Sequence, residues 1–100
     1  MVHHIVMWKF RPEVEEADKA RRKAEMEKNL SSLVGKIPGL LSASFVKEPL
    51  ASSTHDMALV TTFDKAEDIS AYSVHPEHVK VADTYVRPFV TERACLHYQD

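Results

Sequence analysis

Four short apolar segments, separated in the order strand–helix–strand–strand–helix–strand, predict an α+β sandwich built on one four-stranded antiparallel sheet. Three observations carry this reading. The first, third and last segments alternate or run apolar over seven to nine residues, the two intervening stretches are rich in good helix formers, and proline and glycine stand mostly at the joints. With 100 residues, 44% of them hydrophobic, the chain can build one compact core, so a single domain over residues 1–100 is expected and multi-domain enzymes are excluded. A formal charge of −2 gives no basic footprint for nucleic acid. No apolar run approaches the roughly 18–20 residues that cross a bilayer. The opening MVHHIVMWKF lacks the pattern of a signal peptide, and the lone Cys95 excludes an internal disulfide. A cytoplasmic protein without nucleic-acid or membrane partners is the expectation.

Val2 to Phe10 alternates Val2, His4, Val6, Trp8 and Phe10 on one face with His3, Ile5, Met7 and Lys9 on the other. Arg11-Pro12 stops this strand, and Pro12 suits a helix start. Glu13 to about Gly35 then reads as a helix. Acidic residues stand at its start, and an apolar stripe runs through Val14, Ala17, Ala20 and Ala24, then Met26, Leu30, Leu33, Val34 and Ile37. Its basic run, Lys19, Arg21, Arg22 and Lys23, is balanced by acids and reads as a solvated face. Ile37-Pro38-Gly39 turns the chain into a second strand, Leu40 to Glu48, closed by Pro49. Met57 to Phe63 is the third. Asp64 is the expected N-cap of a helix from Lys65 to about Val74, broken at Pro76, with a further helical piece from Glu77 to Val86. Arg87-Pro88 ends that piece. Glu92 to Tyr98 forms the fourth strand, with Arg93, Cys95 and His97 on one face.

This order describes a ferredoxin-like sandwich with helices on one face of the sheet. Because the strands are apolar on both parities, the uncovered face calls for a second copy, and a sheet-to-sheet homodimer follows.

The six histidines raise the question of a metal. His3 and His4 point to opposite faces, Pro76 separates His75 from His78, and one cysteine makes no familiar zinc pattern. Neither a metal nor a cofactor is expected. His75, before a proline, reads as a hinge and cap. Tyr72 and His78 flank the bend, which can bring a phenol and an imidazole over one cavity as an acid–base pair; Tyr72 as an aromatic core anchor fits the same spacing. His4 and His97 meet if the first and last strands are neighbours, beside Val6, Trp8, Cys95 and Arg93. Polar groups beneath a helix layer imply either a partly polar pocket or histidines satisfied by backbone carbonyls. Leu59 of the third strand is expected in the same pocket.

The segments VHHIVMWKF, IPGLLS, DMALVTTFD, AYSVHPEHV and YVRPFV together resemble the stress-responsive α/β-barrel (Dabb) family over essentially the whole chain. The most specific piece runs from Tyr72 through His75-Pro76-Glu77-His78 to Val79. The resemblance implies a ferredoxin-like fold paired into a dimeric α/β barrel. The family includes a plant polyketide cyclase that closes a poly-β-keto chain by aldol condensation without a metal or organic cofactor. Its acid–base Tyr and His match Tyr72 and His78, and its pocket histidine matches His4. Phe89 falls at a larger aromatic lining residue, His97 at an acidic position, and Met26 and Leu30 at aromatic ones.

Two functional readings follow. In the first, the chain is a cofactor-free lyase or cyclase on a small carbonyl compound, with Tyr72 and His78 catalytic and His4, Val6, Trp8, Leu59, Phe89 and His97 lining the pocket. In the second, it is a non-catalytic dimeric module, ligand-binding or stress-associated, whose histidines are structural.

Overall fold

A computed structural model describes residues 1–100. The strands are β1 (Val2–Phe10), β2 (Leu40–Val46), β3 (Met57–Phe63) and β4 (Val90–Gln99). The helices are α1 (Lys19–Ser31), α2 (Ala66–Val74) and α3 (Pro76–Val81). The sheet order is β2-β3-β1-β4, antiparallel throughout, which is the ferredoxin-like arrangement. Each helical crossover therefore skips one strand: β3 lies between β1 and β2, and β1 lies between β3 and β4. His4 consequently faces Thr61 on one side and His97 on the other.

One face of the sheet carries the core. Val2, Val6, Trp8 and Phe10 of β1 and Met57, Leu59 and Phe63 of β3 are buried against Met26, Leu30 and Leu33 from the α1 region and Ile69, Tyr72 and Val81 from the others. The opposite face keeps apolar side chains open to solvent: Leu96 is 60% exposed, Tyr98 45% and Val46 39%.

The first helix is shorter than its composition predicts. Residues 12–15 form turns, with the Val14 N–H donating to the Arg11 carbonyl, and a short 3₁₀ turn at Glu16–Asp18 precedes α1. Arg11 explains the delay: its guanidinium is docked on the Val90 and Arg87 carbonyls, so the chain must first climb from the sheet to the helix layer. The buried stripe differs too. Ala17, Ala20 and Ala24 face solvent, whereas Lys19, Arg22 and Lys23 are half-buried. Their stems lie over the sheet's end, with Lys19 and Lys23 over the Phe10 ring and Arg22 3.8 Å from the Phe89 ring centre. Long basic side chains can cover apolar surface while keeping the charge wet, which an apolar-stripe reading cannot register.

Other boundaries shift for local reasons. β2 ends at Val46, before Glu48. The N-cap of α2 is Lys65, not Asp64: the Asp68 carboxylate accepts the Lys65 N–H at 3.0 Å, and the Asp64 N–H is taken by the Gly39 carbonyl. The last helical piece tightens at α3 and then widens into a π turn over Ala82–Val86. β4 begins at Val90, two residues before Glu92, where Val90 pairs with Phe10.

Candidate active site

The bend between α2 and α3 builds the site. His75 adopts an extended backbone, as a residue before proline must, and its Nδ1 accepts the Glu77 N–H at 3.1 Å. It serves as N-cap of α3. The turn carries His78 back towards α2, where its Nδ1 lies 3.1 Å from the Ser73 carbonyl oxygen. A carbonyl only accepts, so Nδ1 carries the proton and donates; in the neutral ring the lone pair then sits on Nε2. The His78 ring centre lies 4.2 Å from that of Tyr72. Tyr72 in turn packs edge-on against Phe63, at 5.3 Å, which holds the phenol on the helix side of the sheet.

These groups open into a cavity of about 600 Å³ between the sheet and the helices. His4, Val6 and Trp8 of β1, Leu59 of β3, and Tyr72 and His78 of the bend all line it. Trp8 is the chain's one tryptophan. Two expected lining residues lie elsewhere. His97 stacks on the far side of His4, with ring centres 4.5 Å apart, and is itself exposed on the edge strand β4. Phe89 turns away under Arg22, at the mouth of a second, polar depression. Cys95 is exposed.

Electrostatics set the protonation states. Burial pushes the Tyr72 hydroxyl up to about 12, so the phenol stays a donor at neutral pH. Desolvation lowers the pKa of His78, assisted by the Arg87 and Arg93 charges and opposed by the Ser73 carbonyl and Asp83. His4 falls to about 4 through burial first, then through His97, Arg93 and His78. Both imidazoles are therefore neutral at pH 7. His4 Nδ1 is the one buried side-chain nitrogen or oxygen without a hydrogen-bond partner. Such an atom beside a cavity normally meets water or a ligand's polar group. No group of three or more His, Cys, Asp or Glu side chains is placed to hold a metal ion.

Sequence reading misses part of the lining. Arg11 and Arg87 read only as stops before Pro12 and Pro88, yet both reach the cavity. The two Arg-Pro joints are tied together: Arg11 donates to the carbonyls of Arg87 and Val90 through its side chain and to that of Phe89 through its backbone. The paired Arg-Pro dipeptides were the available signal.

Comparison with known proteins agrees with this architecture. The chain is 30% identical over 87 residues to olivetolic acid cyclase of Cannabis sativa, a match covering 84% of this chain and 82% of that one. A dimeric protein of ferredoxin-like fold from Bacteroides fragilis superposes with a TM-score of 0.89 at 27% identity, over 99% of this chain and 95% of the other. A Dabb-family protein of ferredoxin-like fold from Mesorhizobium loti superposes with a TM-score of 0.73 at 15% identity, over 99% and 95%. The family model for the stress responsive A/B barrel domain matches residues 2–100, and the chain belongs to that family, Dabb.

Proposed function

We propose that the chain is an acid–base enzyme acting on a small carbonyl compound, a lyase or cyclase that needs no cofactor for the steps described. One observation carries this reading: the Ser73 carbonyl holds the Nδ1 proton of His78, which leaves Nε2 as a base beside the Tyr72 phenol at the cavity. Nε2 takes a proton from the carbon α to a carbonyl, and the C–H electron pair moves to the carbonyl oxygen, which accepts a hydrogen bond from Tyr72. The enolate carbon then attacks a second carbonyl of the same molecule, forming the C–C bond. The new alkoxide takes the proton back from the imidazolium, so an aldol closure conserves every atom. His4 offers Nδ1 to a polar group of the substrate. The 30% identity to a protein named as a cyclase supports the ring-closing direction.

The test is exchange of α-protons for deuterium, followed by NMR, across a panel of short- and medium-chain ketones and keto acids. Exchange above background is expected, abolished in His78→Gln and lowered roughly 100- to 1,000-fold in Tyr72→Phe, the loss typical of one oxyanion donor. Equal exchange by the native protein and His78→Gln would remove the assignment.

We also infer that two copies pair through the sheet face away from the helices. Support comes from the exposed Leu96, Tyr98 and Val46 on that face and from structural neighbours described as dimeric. Such pairing fits the α/β barrel of the family's description. No helix is long and apolar enough to cross a membrane.

A further inference from the structure

The register of β4 has a chemical consequence at the cavity. Ala94 pairs with Met7 and Thr91 with Lys9, so Glu92 and Arg93 together oppose Trp8. This is a β-bulge, and Glu92 takes the positive φ of 50° that such an insertion often needs. A strand without the extra residue would alternate onward from Val90, placing residue 92 on the cavity face and residue 93 on the outer face. The bulge reverses them. Arg93 joins Cys95 and His97 on the face of His4 and Val6, while the Glu92 carboxylate goes to Lys9 of the outer face, at 3.0 Å. Glu92 still contributes to the cavity lining, but its carboxylate is engaged by Lys9, and an unpaired guanidinium is set beside it.

The local charge balance follows. Arg11, Arg87 and Arg93 all line the cavity. Arg87 is neutralised by Asp83 at 2.5 Å, and Arg11 is spent on backbone carbonyls. Arg93 has neither an acidic partner nor a hydrogen bond. Its charge nevertheless reaches both His4 and His78, lowering the pKa of each. A free guanidinium at a partly apolar cavity, whose one lining acid, Glu92, is already paired with Lys9, is matched by a ligand that brings an anion.

We propose that the cavity takes a keto acid, with the substrate's carboxylate on Arg93, its carbonyl at Tyr72 and His78, and its apolar chain along Val6, Trp8 and Leu59. This deepens the acid–base reading and rests on it for the carbonyl's position. The bulge at Glu92–Arg93 is then the device that sets specificity for an acid over the corresponding ester or ketone.

Trp8 fluorescence reports binding directly, without turnover. The probes are 4-oxononanoate and its methyl ester, which share the chain and the ketone and differ at one end, a carboxylate against a neutral ester. The native protein is expected to bind the acid at least about tenfold more tightly than the ester, the scale of one charge-assisted hydrogen bond. Arg93→Gln should bring the two within about twofold by weakening the acid alone, and Arg93→Lys should restore part of the preference. Tyr72→Phe should weaken both probes alike and leave their ratio unchanged. Arg93 is exposed, so these variants are expected to fold. Equal affinity for acid and ester, a preference that survives Arg93→Gln, or no binding of either probe overturns the proposal. A preference for the acid without any deuterium exchange would instead overturn the acid–base chemistry and leave the anion site standing.

Discussion

His4 and His78 are both held neutral, but with different consequences. For His4, the interval between the ordinary 6.5 and about 4 corresponds to roughly 3 kcal/mol, reduced by solvent in the open cavity to about 2 kcal/mol. The unfolded chain binds the proton more readily in that window, so this contribution is complete above pH 6.5 and is lost as pH falls towards 4. Urea denaturation at about pH 7 and about pH 4.5 should show the native protein losing roughly 2 kcal/mol more than His4→Gln does; equal losses would contradict a buried neutral His4. For His78, whose pKa is also lowered, the neutral form is the proposed base. The acid limb of its pH–rate profile is therefore expected below pH 6.5. Removing the Arg93 charge should move that limb upward, since the guanidinium disfavours the imidazolium. A limb unmoved in Arg93→Gln would mean that Arg93 does not face the imidazole.

The elements depend on a few contacts at their ends. Gly39, at φ +88°, turns the chain from the α1 side into β2, and an added Cβ there would lie 2.6 Å from Asp68 Oδ2. Asp68 is the carboxylate that accepts the N–H of Lys65, the N-cap of α2, so the turn before β2 and the start of α2 share one space. Gly39→Ala therefore combines left-handed backbone strain with a displaced cap and should cost about 2–3 kcal/mol by thermal or chemical denaturation. Gly35, at φ +90° with nothing within 4 Å of a Cβ, should cost only about 1 kcal/mol on the same change. Equal costs would show that the Asp68 contact does not matter. The pattern of α1 makes a related point: its first half packs through Lys19, Arg22 and Lys23, so substituting Arg22 should disturb Phe89 as well as surface charge.

At the level of the whole molecule, the sheet has two apolar faces and only three helices, all on one side. Half-covered Ile5, Met7 and Val60 lie at the centre of the free face, with Leu96 and Tyr98 towards its β4 edge. If two copies close over this face, Val60→Asp should yield a monomer in sedimentation experiments, because an unpaired carboxylate would be buried at the centre of the contact. A variant that sediments as the native protein does would place the contact elsewhere. Arg93 lies on the opposite face, so the keto-acid preference of a single copy is expected to survive in such a monomer.

Element order, the ends of β1 and β3, the break at Pro76 and the capping role of His75 were legible in the sequence, since periodicity and proline geometry act over neighbouring residues. So was the company of Tyr72 and His78, once the bend was recognised. What the sequence could not settle depends on which strand lies beside which, and with what register. The Ser73 carbonyl selects the basic nitrogen of His78, the β4 bulge sends the Arg93 side chain inward and the Glu92 carboxylate to Lys9, and the edge position of β4 leaves His97 outside the cavity that His4 lines. Each of these is a long-range or backbone-mediated contact, and a single inserted residue in a ladder exchanges the two faces of everything beyond it.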